Sequence, residues 1–309
     1  MSDGESDQSA EADADVEAES DADAESDADA ESDADAEAEA ETDAEAGVET
    51  ETNADTQPDE ESPDQPPVLL VRDDREFLVQ PGEEMGTDLG ILEVPADVEP
   101  GDTVETHLDE AFHVRRLRGP DLFHHFERTG APMVPRDIGL IIGETGIARG
   151  DRVLDTGTGT GVLSASMARA GATVVTYERD PEFADVAREN MELGGVADAV
   201  DVRTGDLTEE LEAGALESAP FDVLTLDTGD AAEIVTHAPE LLVEGGFVAV
   251  YSPFIESTRD VVEAAREAGL ANIRTRETIQ REMQFDDRGS RPSTAPVGHT
   301  GYLTIARNE

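Results

Sequence analysis

The stretch Val153-Leu154-Asp155-Thr156-Gly157-Thr158-Gly159-Thr160-Gly161 carries the reading of this chain. An apolar run ends in an aspartate and gives way to three glycines at alternate positions. Glycines there let a backbone approach a ligand closely, and a helix starting just beyond offers free N–H groups to an anion or carboxylate. The spacing is GxGxG, not the GxGxxG of dinucleotide enzymes. Outward from this turn, apolar and amphipathic segments alternate. Strands are predicted at Arg152 to Asp155, Thr173 to Glu178, Val200 to Arg203, Asp222 to Asp227 and Phe247 to Tyr251; helices at Asp137 to Thr145, from Gly161, at Pro181 to Leu193 and at Glu233 to Leu242. That order predicts an α/β fold with a mostly parallel, Rossmann-like sheet. Two further strands, near Asn272 to Thr278 and Gly301 to Ala306, flank an irregular, helix-free stretch from Phe285 to His299, so the sheet should end in an antiparallel hairpin. Upstream, Val68 to about Arg118 holds short alternating runs such as Val68-Leu69-Leu70-Val71 and Ala111-Phe112-His113-Val114, separated by Gly and Pro. These predict a small β-domain that must pack on the larger α/β domain, because roughly fifty residues make a poor core alone.

Three acids lie where strands should end. Glu178, 23 residues after Asp155, is placed to accept hydrogen bonds from both hydroxyls of a ribose, unless it is a surface acid at a strand end. Asp206, after Gly205, is placed to receive an adenine amino group, or is an ordinary turn aspartate. Asp227 ends Leu224-Thr225-Leu226-Asp227 at the sheet's carboxyl edge, where a catalytic group works; its plain alternative is a helix cap.

In this order the three features resemble the class I S-adenosylmethionine-dependent methyltransferases, with a seven-stranded, mostly parallel sheet. By that resemblance Asp155, Gly157, Thr158, Gly159, Gly161, Glu178, Asp206 and Asp227 surround the cofactor. Three longer blocks narrow the likeness: Gly130-Ala131-Pro132-Met133-Val134-Pro135-Arg136-Asp137-Ile138-Gly139, Val250-Tyr251-Ser252-Pro253-Phe254-Ile255-Glu256, and Arg291-Pro292 with Val297-Gly298-His299-Thr300-Gly301-Tyr302-Leu303. Together these look like the tRNA (adenine-N1)-methyltransferase family, from about Val68 to Ala306. The resemblance implies a homotetramer that makes 1-methyladenosine at position 58 of the tRNA T loop, in archaeal members sometimes also at 57, with Asp227 as the catalytic carboxylate and no metal. Adenine N1 is already a nucleophile, so the enzyme need mainly place it in line with the methyl group. The base must leave its pairing for a pocket, walled in part by Tyr251 and Met133-Val134-Pro135. The family often has Tyr or His where this chain has Val134, so an aromatic stack on the base is either missing or supplied by Phe285 or Tyr251. Asp227 is followed by Thr228-Gly229 where a proline commonly comes soon after. Other class I methyltransferases, such as the protein isoaspartate type, and a noncatalytic partner subunit are the alternatives.

Composition sets the remaining bounds. The chain has 309 residues, 75 Asp+Glu, 21 basic residues that are all arginine, and a net charge of -54. Residues 1 to 67 hold 28 of the acids and no base, in near-repeats such as Asp21-Ala22-Asp23-Ala24-Glu25-Ser26, and are expected to be a disordered solvating tail. The body remains acidic, 47 acids against 21 arginines, as expected of a protein soluble in concentrated salt. The absence of cysteine excludes disulfides, a thiolate nucleophile and Cys-ligated zinc. Apolar runs are too short to span a bilayer and no export signal opens the chain, so a cytoplasmic location is expected. Arg115, Arg116 and Arg118, with His124-His125, Arg128 and Arg136 nearby, form the candidate RNA-facing cluster; Arg291 and His299 join it from the last block. Pairing with surface acids is the alternative for each arginine, and packing for the histidines.

Overall fold

The computed structural model describes residues 65–214, 216, 220–295 and 298–309; the acidic segment up to residue 64, and Val297, lie outside them. Six strands open the described chain: β1 (Val68–Arg72), β2 (Arg75–Val79), β3 (Glu84–Thr87), β4 (Gly90–Glu93), β5 (Thr103–Glu105) and β6 (Ala111–Arg116). They form an antiparallel sheet in the order β2-β1-β6-β5 and a separate β3-β4 ribbon. Leu70, Leu92, Phe112 and Val114 form a small core of their own. The strands β3 and β5 escape sequence reading because Glu84-Met85-Gly86-Thr87 and Thr103-Val104-Glu105 hold too few apolar residues for a period of two to show.

Two helices, α1 (Gly119–His125) and α2 (Pro135–Thr145), lead into the second sheet. Its elements come in the order β7 (Arg152–Thr156), α3 (Val162–Ala170), β8 (Thr173–Glu178), α4 (Pro181–Leu193), β9 (Val200–Thr204), α5 (Leu207–Glu212), β10 (Phe221–Leu226), α6 (Ala231–Thr236), α7 (Ala238–Leu241), β11 (Leu242–Ser252), α8 (Ile255–Glu267), β12 (Ala271–Glu277), β13 (Met283–Asp286), β14 (Gly289–Pro292) and β15 (Tyr302–Arg307). Seven strands pair in the order β12-β15-β11-β10-β7-β8-β9. The five from β11 to β9 are parallel, and β15 enters antiparallel between β11 and β12. The order reverses between β7 and β10, so their carboxyl ends open the crevice in which ligands of such sheets bind. Strand parity divides the core: Val153, Val223 and Ala249 face α2, α3 and α4, while Leu154, Leu224 and Val248 face α6, α7 and α8. The helices start where the chain supplies partners. Asp180 caps α4 by accepting from Glu182 N at 2.9 Å, with Pro181 in the first turn.

Two expectations need correction. The helix from Glu233 to Leu242 is two short helices, α6 and α7, divided at His237, because Pro239 fits only a first turn. The stretch from Phe285 to His299 is not wholly irregular: its start completes the β13-β14 hairpin, exposed throughout and therefore without a burial pattern to read. Among the described residues, no helix is long and apolar enough to cross a membrane.

Candidate active site

The glycine turn lies between β7 and α3, with φ of +85°, +50° and +81° at Gly157, Gly159 and Gly161. Each glycine answers to something different. A Cβ on Gly157 would lie 2.1 Å from the carbonyl oxygen of Asp227, so the turn is packed directly on the end of β10. The Asp227 N–H donates to the Thr156 carbonyl at 3.0 Å, tying the same two strand ends. Gly161 instead backs on α4, where its Cβ would come 2.4 Å from Met191 Cε. A Cβ on Gly159 would meet Thr129 Oγ1 at 3.8 Å, an ordinary contact, so its positive φ and not close packing is what favours glycine there.

Beneath the turn, Asp155 is 2% exposed and accepts hydroxyl donors from three elements. Ser164 and Thr176 each donate to Oδ2 at 2.7 Å, and Thr225 donates to Oδ1. Burial pushes its carboxyl up from the ordinary value, while the three hydroxyls oppose that rise. The side chain is committed inward, joining β7, α3, β8 and β10 below the cleft. Thr158, also expected around the cofactor, likewise turns its hydroxyl inward, to Thr176.

The ends of β8 and β9 form one side of the cleft. Glu178 accepts from Gly159 N at 2.9 Å through Oε2 and from Asp180 N at 3.1 Å through Oε1, so the acid and the turn are one hydrogen-bonded unit. Asp206 caps α5, accepting from Thr208 N at 2.8 Å, and its other oxygen lies 3.4 Å from Arg179 Nη1. Asp206 is thus a helix cap, with a partner at each carboxylate oxygen. Arg179 also reaches Asp230 at 2.9 Å, a bridge between loops that sequence reading missed because the partners are distant in the chain. Thr208 Oγ1 is buried without a hydrogen-bond partner. A cleft of about 350 Å³ runs past Gly157, Gly159, Glu178, Arg179, Phe183 and Asp227.

Asp227 sits at the meeting point of the turn and the opposite wall. Ala131, Pro132 and Met133 line a smaller hollow with Gly157, Gly159 and Asp227, so the segment before α2 does come over the turn. Met133 is buried and Val134 is the residue before the first turn of α2. The register Leu226↔Val250 makes Asp227 and Tyr251 the next neighbours along β10 and β11. Burial first, and then the Asp155 charge, push the Asp227 carboxyl up to about 7. Tyr251 is half-buried, which raises its phenol, and both Asp137 and Asp227 add to the rise. Arg136, Asp137 and Thr300 lie close to it; Asp137 and Thr300 were not singled out from sequence, and Arg136, expected to face RNA, is instead paired with the buried Asp137.

The candidate RNA residues do not form one cluster. On β6, Arg116 shares its parity with the inward Phe112 and Val114, whereas Arg115 points to the other face, 3.7 Å from Glu76. Arg118 precedes α1. Arg128 donates to the Phe123 carbonyl and lies over that ring. His125 approaches Glu76 at 3.7 Å. Arg291 lies on exposed β14, opposite Gln284, and Phe285 on β13 is 77% exposed, so neither lines the hollow beside Asp227. His299 is held by Glu277 Oε1 at 2.9 Å and the Pro253 carbonyl at 3.0 Å, which engages both ring nitrogens.

Comparison with known proteins agrees with this geometry. Residues 126–291 match the family model of the tRNA methyltransferase complex GCD14 subunit. The chain is 35% identical over 265 residues to the tRNA (adenine(57)-N(1)/adenine(58)-N(1))-methyltransferase TrmI of Methanocaldococcus jannaschii, covering 77% of this chain and 94% of the relative. It is 30% identical to the tRNA (adenine(58)-N(1))-methyltransferase TrmI of Thermus thermophilus, covering 67% and 81%. A crystal structure of a SAM-dependent O-methyltransferase from Thermotoga maritima superposes with a TM-score of 0.65 at 27% identity, over 79% of this chain and 92% of that one. A GxGxG turn packed on the end of β10, an acid at the end of β8 and a buried carboxylate at the switch point therefore belong to a class I S-adenosylmethionine-dependent methyltransferase, and the chain is a member of the GCD14 tRNA methyltransferase family.

Proposed function

We propose that this chain transfers a methyl group from S-adenosylmethionine to N1 of T-loop adenosine 58 in tRNA, and also to adenosine 57, as a cytoplasmic homotetramer. Asp227 carries the reading: a carboxyl at the switch point, lifted to about 7 by burial, beside Tyr251 and against the glycine turn. The residues present fit the cofactor. The cleft past Gly157 and Gly159 admits its methionine end, Glu178 still has lone pairs for the ribose hydroxyls, and the orphaned Thr208 Oγ1 beside Asp206 marks a polar site near the adenine. The cofactor supplies, when bound, an electrophilic methyl on a positively charged sulfur.

The chain's own residues do the rest. Asp227 accepts the exocyclic amine of the target adenine and holds N1 in line. The N1 lone pair forms the new N–C bond as the C–S bond breaks, and positive charge passes to the ring, where the Asp227 carboxylate stabilises it. Tyr251 and Met133-Val134 wall the base. Asp155 supports the turn from below and Thr158 belongs to that support. Arg116 and Arg118 at the end of the small β-domain, together with Arg115, Arg291 and His299, meet the RNA outside the pocket. The domain boundary near residue 118 is part of this proposal. The apolar patch of Ile279, Met283 and Phe285, each at least half exposed, supports covering by a second copy.

The test is transfer of labelled methyl to unmodified tRNA in molar KCl, with nucleosides identified by mass spectrometry. 1-Methyladenosine that disappears with Asp227→Ala is the expected result. Protein that binds the cofactor but leaves every adenosine unmethylated would send the search to protein or small-molecule acceptors.

A further inference from the structure

Between α1 and α2 the chain runs without helix or strand, from Phe126 to Val134, and its later part forms the wall of Ala131, Pro132 and Met133 beside Asp227. Backbone outside regular structure must find its hydrogen-bond partners elsewhere. Among the described residues, no backbone–backbone hydrogen bond involves positions 127 to 133. Side chains tie the segment down instead. Asn190, near the end of α4 and 1% exposed, accepts from Glu127 N at 3.0 Å through Oδ1 and donates from Nδ2 to the Glu127 carbonyl at 2.8 Å. The same Nδ2 donates to the carbonyl of Thr160, inside the glycine turn, at 2.9 Å. Thr160 adds a direct bond, its Oγ1 accepting from Thr129 N at 3.4 Å.

The orientation of the Asn190 amide follows from its partners. An amide oxygen only accepts and an amide nitrogen only donates, so a backbone N–H on one side and two carbonyls on the other allow one placement. One buried side chain therefore commits its acceptor and both donor protons to two segments that share no strand or helix. The packing agrees. Met191, the next residue, backs Gly161, and a Cβ on Gly194 would lie 2.9 Å from Phe126 Cζ. The end of α4 thus carries the glycine turn on one side and the start of the wall segment on the other.

We propose that Asn190 is a positioning residue that joins the glycine turn to segment 126–134, so that cofactor bound on the turn and acceptor bound against the wall strengthen each other's binding. A bound cofactor orders the turn, the joint passes that order to the wall, and the acceptor has less left to order for itself. That the acceptor is tRNA rests on the proposed function above; the joint between turn and wall does not.

The test compares wild type with Asn190→Ala, using S-adenosylhomocysteine, the cofactor without its methyl group, so that nothing reacts. Affinity for unmodified tRNA should tighten about tenfold when this molecule is present, and tRNA should tighten its binding by the same factor. In the variant both ratios should fall to near one while each ligand still binds alone. A variant with an undiminished ratio, or a wild type that binds both ligands independently, would overturn the proposal. A second readout needs no RNA: S-adenosylhomocysteine should slow amide hydrogen exchange in both the turn and segment 126–134 of the wild type, and in the turn alone of the variant. Segment protection that survives in the variant, or never develops in the wild type, would overturn the joint. If Asn190→Ala does not fold, Asn190→Ser, which leaves room for a water between the same backbone groups, takes its place in both measurements. Wild-type protein that shows the exchange coupling but binds no tRNA would overturn the tRNA reading alone.

Discussion

Asp227 has lost water without gaining a donor: among the described residues no side chain is hydrogen-bonded to its carboxyl, while Asp155 lies behind it. The consequence for pH has a definite sign. Well below the ordinary carboxylate value of 3.8 both folded and unfolded chains hold the proton; between there and about 7 only the folded chain keeps it. Stability should therefore fall as pH rises through that window, and Asp227→Asn should flatten the fall. Tm measured from pH 5 to 8 for both proteins checks this; parallel curves would contradict it. Methyl transfer per bound tRNA should instead rise through neutral pH as Asp227 ionises, and the Asn variant should be slower by about 10²- to 10³-fold. The glycines separate by what they touch. Gly157→Ala drives a Cβ into backbone and should cost about 3 kcal/mol together with cofactor binding, whereas Gly161→Ala meets only the flexible end of Met191 and should cost about half as much. Denaturant titration in molar KCl orders the two.

At the scale of elements, strand parity decides which side chains act together. The seven-strand order places β7 and β10 side by side at the switch point, so Asp155, Thr225 and Asp227 converge from segments about seventy residues apart, in line with the 70-residue separation of the Thr225–Asp155 bond. Parity also parts Arg115 from Arg116, although they are adjacent in the sequence. The β13-β14 hairpin is exposed throughout and holds apolar side chains in water: Met283 is 50% and Phe285 77% exposed. If a second copy covers it, Phe285→Ser should reduce the assembly to smaller species in light scattering while cofactor affinity is kept. A monomeric wild-type protein, or an unchanged mass in the variant, would reject that role.

For the whole molecule, charge is the dominant constraint. The body holds 47 acids against 21 arginines and no lysine, so its surface repels itself. Ion pairs such as Arg75–Asp88 and Arg188–Asp185 are exposed, and pairs of that kind contribute little. Screening by salt should matter more, since the Debye length shrinks to about 3 Å at 1 M. Tm should rise steadily as KCl goes from a tenth molar to several molar; a flat or falling curve would remove the halophilic reading. If the halophilic reading holds, tRNA binding cannot lean on phosphate contacts, whose affinity falls steeply with salt. Binding of tRNA should accordingly be salt-tolerant, and a strong loss on raising KCl within the molar range would contradict shape and stacking as its basis.

The α/β alternation, the GxGxG turn and the acids at the ends of β8 and β10 are legible along the chain, because each is a local pattern: a period of apolar residues, a glycine spacing, a strand end. So is the acidic, lysine-free composition. The remaining features arise on folding, because they depend on partners far apart in the chain. Asp155 is a buried anchor, not an open ligand, because hydroxyls from α3, β8 and β10 close on it. Gly157 is required by the Asp227 carbonyl and Gly161 by Met191. The helix after β10 breaks at His237, and the exposed β13-β14 hairpin has no buried face to announce itself. Above all, the Arg136-Asp137-Thr300 network around Tyr251 joins residues more than 160 positions apart, as in the 163-residue separation of Thr300 and Asp137. Its members are inconspicuous in their own segments, and folding alone removes them from water and gives each a partner.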